Sequence, residues 1–128
     1  MIKIDMPTTD IVITKSRQLG EKGEPVLSSV YGFTEYMKIP RDKSGIYMFF
    51  NNRDELLFVG KARKLRQRIR KNFEDQVSAI KMHRDEVYSI AVCFVEEPVD
   101  REIYETYIIN NLRARYNVDK VFYKQALC

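Results

Sequence analysis

Apolar and polar positions are most clearly ordered between residues 44 and 73, SGIYMFFNNRDELLFVGKARKLRQRIRKNF. An apolar run at 45–50 is followed by polar residues at 51–54 and a second apolar run at 56–60. Two short β-type runs across a polar turn predict a hairpin. With 51–54 as the loop, Phe50 faces Glu55 and Tyr47 sits opposite Phe58, both side chains on one face of the sheet. Beyond the hairpin, Ala62, Leu65, Ile69 and Phe73 recur at helical spacing and predict one apolar stripe. At roughly 100° per residue, Lys61, Lys64, Arg68 and Asn72 form a second stripe beside it.

Further along, Asp75 is a plausible cap for a short helix reaching about Arg84. The run VYSIAVCFV at 87–95 is apolar or small on both alternating sets, which predicts a strand buried on both faces and therefore central. Glu96, Glu97 and Pro98 end it. Asp100 is a candidate N-cap for a helix to about Arg113. Ile103, Tyr104, Tyr107, Ile108 and Leu112 form its expected buried stripe, with Glu102 pointing away and Glu105 at the edge. Residues 1–43 are less patterned: 11–14 is a candidate strand, 20–25 a loop, and 26–38 a short helix or irregular cover. The expected architecture is an α/β domain with a small, mainly antiparallel three-stranded sheet flanked by helices. Residues 1–43 are an N-terminal extension packing on it, 44–121 the domain proper, and 122–128 a C-terminal tail.

Composition narrows the function. The 128 residues suit one domain, and 22 Lys and Arg against 18 Asp and Glu leave a net charge of only +4. Distribution matters more than total. Lys61, Arg63, Lys64, Arg66, Arg68, Arg70 and Lys71 follow one another with no acidic residue between them, as an electrostatic footprint for nucleic acid requires. A solvated helix face is the plainer alternative. Cys93 and Cys128 lack metal-type spacing, and His83 has no second histidine to join it and is taken as a surface residue. No apolar run approaches the length of a membrane span and no signal peptide is visible, so a cytoplasmic protein without a membrane partner is expected.

These residues resemble the GIY-YIG nuclease domain, in the form found at the N-terminus of the bacterial excinuclease C protein. Gly45-Ile46-Tyr47 matches the first motif half and Phe58-Val59-Gly60 the second. Lys61 to Leu65 followed by Arg68 resembles the GKAxxLxxR helix start, and Glu105 falls where the family keeps a metal-binding glutamate. Arg115-Tyr116-Asn117-Val118 resembles the P-x-Y-N-V ending, with Ala114 at the proline position. The resemblance implies a metal-dependent endonuclease that nicks DNA, double-stranded and in a setting like nucleotide excision repair, with repair proteins as further partners. It implies that Tyr47 acts on the attacking water as base or orienter, that Arg68 binds the scissile phosphate, and that Glu105 holds one Mg²⁺ or Mn²⁺. Asn117 supports the site or contacts phosphate, and Lys61 is an auxiliary phosphate contact. Arg63, Lys64, Arg66 and Asn72 complete the nucleic-acid-binding set, and Phe58 supports the site.

A tyrosine with a pKa of about 10 is a poor base at neutral pH; Lys61, Arg68 and the metal are expected to favour its phenolate. Two departures bear on efficiency. Phe58 removes a hydroxyl from the second motif half, and Asn72 replaces the usual tyrosine or histidine and cannot act as acid or base. The chain also lacks the length for the further segments of the excinuclease protein, which suggests a stand-alone module. A catalytically weakened or inactive nucleic-acid-binding module of the same fold, or a protein that docks a larger partner through residues 1–43, are the competing expectations.

Overall fold

In the computed structural model, residues 5–15, 33, 36–118 and 120–122 are described. The apolar runs form strands β1 (Ile11–Thr14), β2 (Gly45–Phe50), β3 (Leu56–Ala62) and β4 (Ser89–Phe94). Two α-helices accompany them, α1 (Leu65–Glu74) and α2 (Pro98–Leu112). The sheet has four strands rather than the three expected, in the order β1-β4-β2-β3, with every pair antiparallel. The extra strand follows from the burial of β4: a strand covered on both faces also needs partners along both edges. Ile11 to Thr14 pair with Val92 to Ser89, and the Asp10 carboxylate accepts the Phe94 N–H at 2.7 Å.

The hairpin register differs from the simple count. Tyr47 pairs with Gly60 and Phe49 with Phe58, and a bulge between Phe49 and Phe50 brings Phe50 opposite Leu56. The turn explains the offset. Asn51 Oδ1 accepts the N–H groups of Arg53 (2.9 Å) and Glu55 (3.0 Å), and Asp54 takes a left-handed conformation at φ 58°. Because side chains alternate with a period of two, a slip of two residues keeps Tyr47 and Phe58 on one face, with ring centroids 6.2 Å apart.

The helices cover opposite faces of the sheet. Leu65, Ile69 and Phe73 of α1 join Phe33, Tyr36, Ile39, Phe49 and Leu57 in one core. Ile108 and Ile109 of α2 join Ile46, Met48, Val59 and Cys93 in the other. Lys61 and Ala62 still belong to β3, so the cationic helix begins at Leu65, and only Lys64, Arg68 and Asn72 of the predicted polar stripe stand at or within it.

Helix α2 starts at Pro98, a favoured first helical residue, with Glu97 rather than Asp100 at the cap position. Its buried face is Arg101, Glu105, Ile108 and Ile109, whereas Ile103 and Leu112 of the expected stripe are 44% and 47% exposed. The Arg101 guanidinium sets this rotation by donating to the carbonyls of Val95 (3.1 Å) and Glu96 (2.7 Å) at the end of β4.

Asp75 caps a turn instead of a helix, accepting from the Ser78 N–H and hydroxyl. Buried Arg84 donates to the Asn72 carbonyl at 2.6 Å and to the Asp75 carbonyl, which closes the C-terminus of α1. His83 is half-buried rather than a plain surface residue, its ring stacked on Tyr116 with centroids 3.7 Å apart. Among the described residues no helix is long and apolar enough to cross a membrane. The loop predicted at 20–25 and most of 26–38 lie outside the described residues.

Candidate active site

An open cleft of about 420 Å³ lies along the outer side of β3, where side chains from both helical layers can reach it. Tyr47 enters from β2, Phe58 and Lys61 from β3, Arg68 from α1, Glu105 from α2, and Asn117 and Lys120 from the segment after α2. These residues are far apart in sequence and meet because β3 runs into α1 while the chain after α2 returns to the outer side of β3. Tyr116 N–H donates to the Leu57 carbonyl at 2.8 Å. Asn117 then uses both ends of its buried amide on Val59, accepting the N–H and donating to the carbonyl at 2.9 Å each. Its place is therefore that of a clamp holding β3 beside the cleft.

The Tyr47 ring lies directly on Gly60. A Cβ at Gly60 would fall 2.2 Å from Tyr47 Cζ and 2.3 Å from its hydroxyl oxygen. Phe58 and Phe49 flank the same ring. Tyr47 is only 3% exposed, and its oxygen accepts a hydrogen bond from Asn72 Nδ2 at 2.7 Å. The same Asn72 nitrogen donates to the Arg68 carbonyl at 2.9 Å, one turn earlier in α1, which fixes the orientation of the amide. Burial pushes the Tyr47 phenol up to about 12, against the opposing hydrogen bond from Asn72 and the charge of Arg68. Of the cations expected to favour the phenolate, Arg68 does oppose this rise, but desolvation outweighs it. With its oxygen occupied by a donor, the neutral phenol has its own proton left to donate.

Glu105 is buried, 8% exposed, and accepts a hydrogen bond from the Lys120 ammonium. That ammonium also lies 2.6 Å from Glu102, one turn back on α2, and the second oxygen of Glu102 is held by Lys61. Hydrogen bonds from Lys120 and then Lys61 bring the Glu102 carboxyl down to about 2. Burial alone would lower the Lys120 ammonium, but its two carboxylate partners raise it, so it stays charged. Glu102, expected to point away from the buried stripe, is half-exposed and reaches the cleft only through Lys61 and Lys120. No motif marks it or Lys120, although the spacing of Glu102 and Glu105 places them on one helical face. No local pattern signals Lys120, which reaches α2 through a left-handed backbone at φ 61°.

The remaining predicted residues divide by position. Arg63 and Lys64 line a neighbouring groove of about 410 Å³ together with Gln67 and Lys71, and Arg68 borders both concavities. Arg66 faces elsewhere, donating to the carbonyls of Ile39 (2.6 Å) and Met37 (2.7 Å) and so tying α1 to the segment before β2. Asn72 is buried beneath Tyr47 rather than on the phosphate-facing surface.

Among the described residues no group of three or more His, Cys, Asp and Glu side chains is placed to hold a metal. One or two carboxylates with several retained waters are nevertheless the usual protein share of a Mg²⁺ site. Glu105, which lines the open cleft, with Glu102 one turn away on the same ammonium, fits that donor chemistry.

The sequence pattern of the UvrC-like GIY-YIG domain matches residues 43–118. The chain belongs to this family. It also matches a small part of much longer proteins: the UvrABC system protein C of Clostridium kluyveri is 29% identical over 73% of this chain, which spans only 16% of that protein. An uncharacterized protein of Bacillus subtilis, YurQ, is 60% identical over 97% of this chain and 100% of its own length. Among solved structures, the GIY-YIG N-terminal endonuclease domain of UvrC from Thermotoga maritima, bound to magnesium as its catalytic divalent cation, is similar with a TM-score of 0.55. That match has 26% sequence identity and covers 61% of this chain and 86% of that one. The GIY-YIG fold therefore accounts for the antiparallel sheet and its flanking helices.

Proposed function

We propose that this chain is a divalent-metal-dependent endonuclease that nicks DNA, with Tyr47, Arg68 and Glu105 as its central residues. The observation that carries this reading is the meeting of a phenol, a guanidinium and a carboxylate from three separate elements in one open cleft. The likeness to a magnesium-bound endonuclease domain supports it.

Phosphodiester hydrolysis needs an oriented nucleophile, a clamp on the non-bridging oxygens and relief of charge on the leaving oxygen. Arg68, exposed at the rim, supplies a fixed cation for the phosphate. Tyr47 orients water or phosphate by donating its proton into the cleft, since its oxygen already accepts from Asn72. Asn72 and Gly60 position that phenol, and Asn117 holds the strand beneath it. Glu105, with Glu102 near it, would hold the divalent ion, which supplies Lewis-acid stabilisation of phosphate charge when bound. Supercoiled plasmid with Mg²⁺ or Mn²⁺ provides the test. Nicking is expected, falling at least about 100-fold in Glu105→Ala and Arg68→Ala, and more mildly in Tyr47→Phe. A wild-type chain that nicks no plasmid with either ion overturns the proposal.

One observation favours a second reading, a binding module of the same fold without catalysis. The Lys120 ammonium already neutralises Glu105, and the position below Tyr47 carries an amide that cannot exchange protons. Salt-sensitive DNA binding without cleavage would identify that case.

A further inference from the structure

Two carboxylates one turn apart on α2 converge on a single ammonium. Lys120 lies 2.6 Å from Glu102 and forms an equally close pair with Glu105, which lines the same cleft. This is a built arrangement rather than a chance reach of a surface lysine. The Asn110 side chain holds the backbone at and just after it, donating to the Lys120 carbonyl at 2.7 Å and accepting the Phe122 N–H at 2.6 Å. The left-handed conformation of Lys120 then turns its side chain back onto α2.

We propose that Lys120 is an internal competitor for the divalent ion: its ammonium occupies the seat between Glu102 and Glu105, and metal enters only by displacing it. The proposal rests on Glu105 being the ion's carboxylate. The ammonium sits on Glu105 Oε1, and a divalent ion on the same carboxylate would stand close beside it, where like charges repel, so each weakens the other's hold there. Displacement costs the two ion pairs of Lys120, one of them to a buried carboxylate, and that cost appears directly as weaker metal binding. It also frees a cation at the cleft.

Binding of Mn²⁺ to the full chain without nucleic acid, followed by electron paramagnetic resonance of the free ion, tests this without relying on activity. Lys120→Met keeps the aliphatic stem and removes the competing charge. It is expected to bind Mn²⁺ roughly five- to tenfold more tightly than the wild type, and Asn110→Ala, which releases the clamp, should shift in the same direction. Glu105→Gln should weaken binding in both backgrounds. If Glu105→Gln weakens binding but Lys120→Met binds no more tightly than wild type, the competition is refuted while the metal role of Glu105 stands. If Glu105→Gln changes nothing, or no variant binds Mn²⁺, the proposal and the metal role of Glu105 fall together.

Discussion

At the scale of single residues, Tyr47 is where burial and electrostatics pull in opposite directions. Arg68 and the donated hydrogen bond from Asn72 favour ionisation, but a side chain 3% exposed loses more by desolvation, and the phenol is pushed up to about 12. The folded protein therefore keeps a proton that the unfolded chain releases near pH 10. This contribution is fully present below about pH 10 and disappears as pH rises toward about 12. Over that interval stability should fall by about 2–3 kcal/mol from this group alone. Urea unfolding at pH 9 and pH 11.5 measures it, and Tyr47→Phe should show a smaller loss than wild type over the same window. That Tyr47, Arg68 and Glu105 line one cleft was expected from the family resemblance, whose motif order contains all three. Lys120 was not, since its contact depends on a backbone turn that no spacing encodes. Asn72 was legible as a departure from the motif but not as the donor beneath the phenol, because that role needs the helix and strand in register.

At the scale of elements, β2 and β3 are held by a fit between one ring and one missing side chain. Tyr47 lies across Gly60, so Gly60→Ala would set a methyl 2.2 Å from the ring carbon bearing the hydroxyl. The ring cannot yield freely, with Phe49 and Phe58 flanking it, so overpacking should cost about 1–3 kcal/mol. A double-mutant cycle checks the cause: Gly60→Ala placed in a Tyr47→Leu background should lose much less stability than in the wild type. The hairpin itself was readable from its two apolar runs, and its register was not. The extra residue lies in a bulge stabilised by the Asn51 side chain, which an apolar pattern cannot count. The phase of α2 departs from its pattern for a related reason. Arg101 and Glu105 are charged yet buried, because one is hydrogen-bonded to the end of β4 and the other is paired with Lys120. Polarity places them outside, and only the partners explain why they are inside.

At the scale of the whole molecule, a net charge of +4 on 128 residues is too small to attract nucleic acid without local clustering. The seven cations between 61 and 71 do not all contribute to one surface. Lys61 is paired with Glu102, Arg70 with Glu74, and Arg66 is bonded to backbone carbonyls. Arg63, Lys64, Arg68 and Lys71 remain together along the groove that adjoins the cleft. If DNA follows that groove into the site, neutralising about four phosphates should make the logarithm of the binding constant fall with the logarithm of salt concentration at a slope of about −3 to −4. Lys71→Ala should weaken binding of unrelated sequences alike and reduce the slope by about one. Arg66→Ala should leave the slope unchanged but lower stability by about 1–3 kcal/mol, because its donors hold the chain before β2 against α1. Fluorescence anisotropy of a labelled duplex across a salt series, set beside urea unfolding of the same variants, separates the two effects. An Arg66→Ala slope reduced as much as that of Lys71→Ala would mean that the nucleic acid crosses α1 on its other side, away from the cleft.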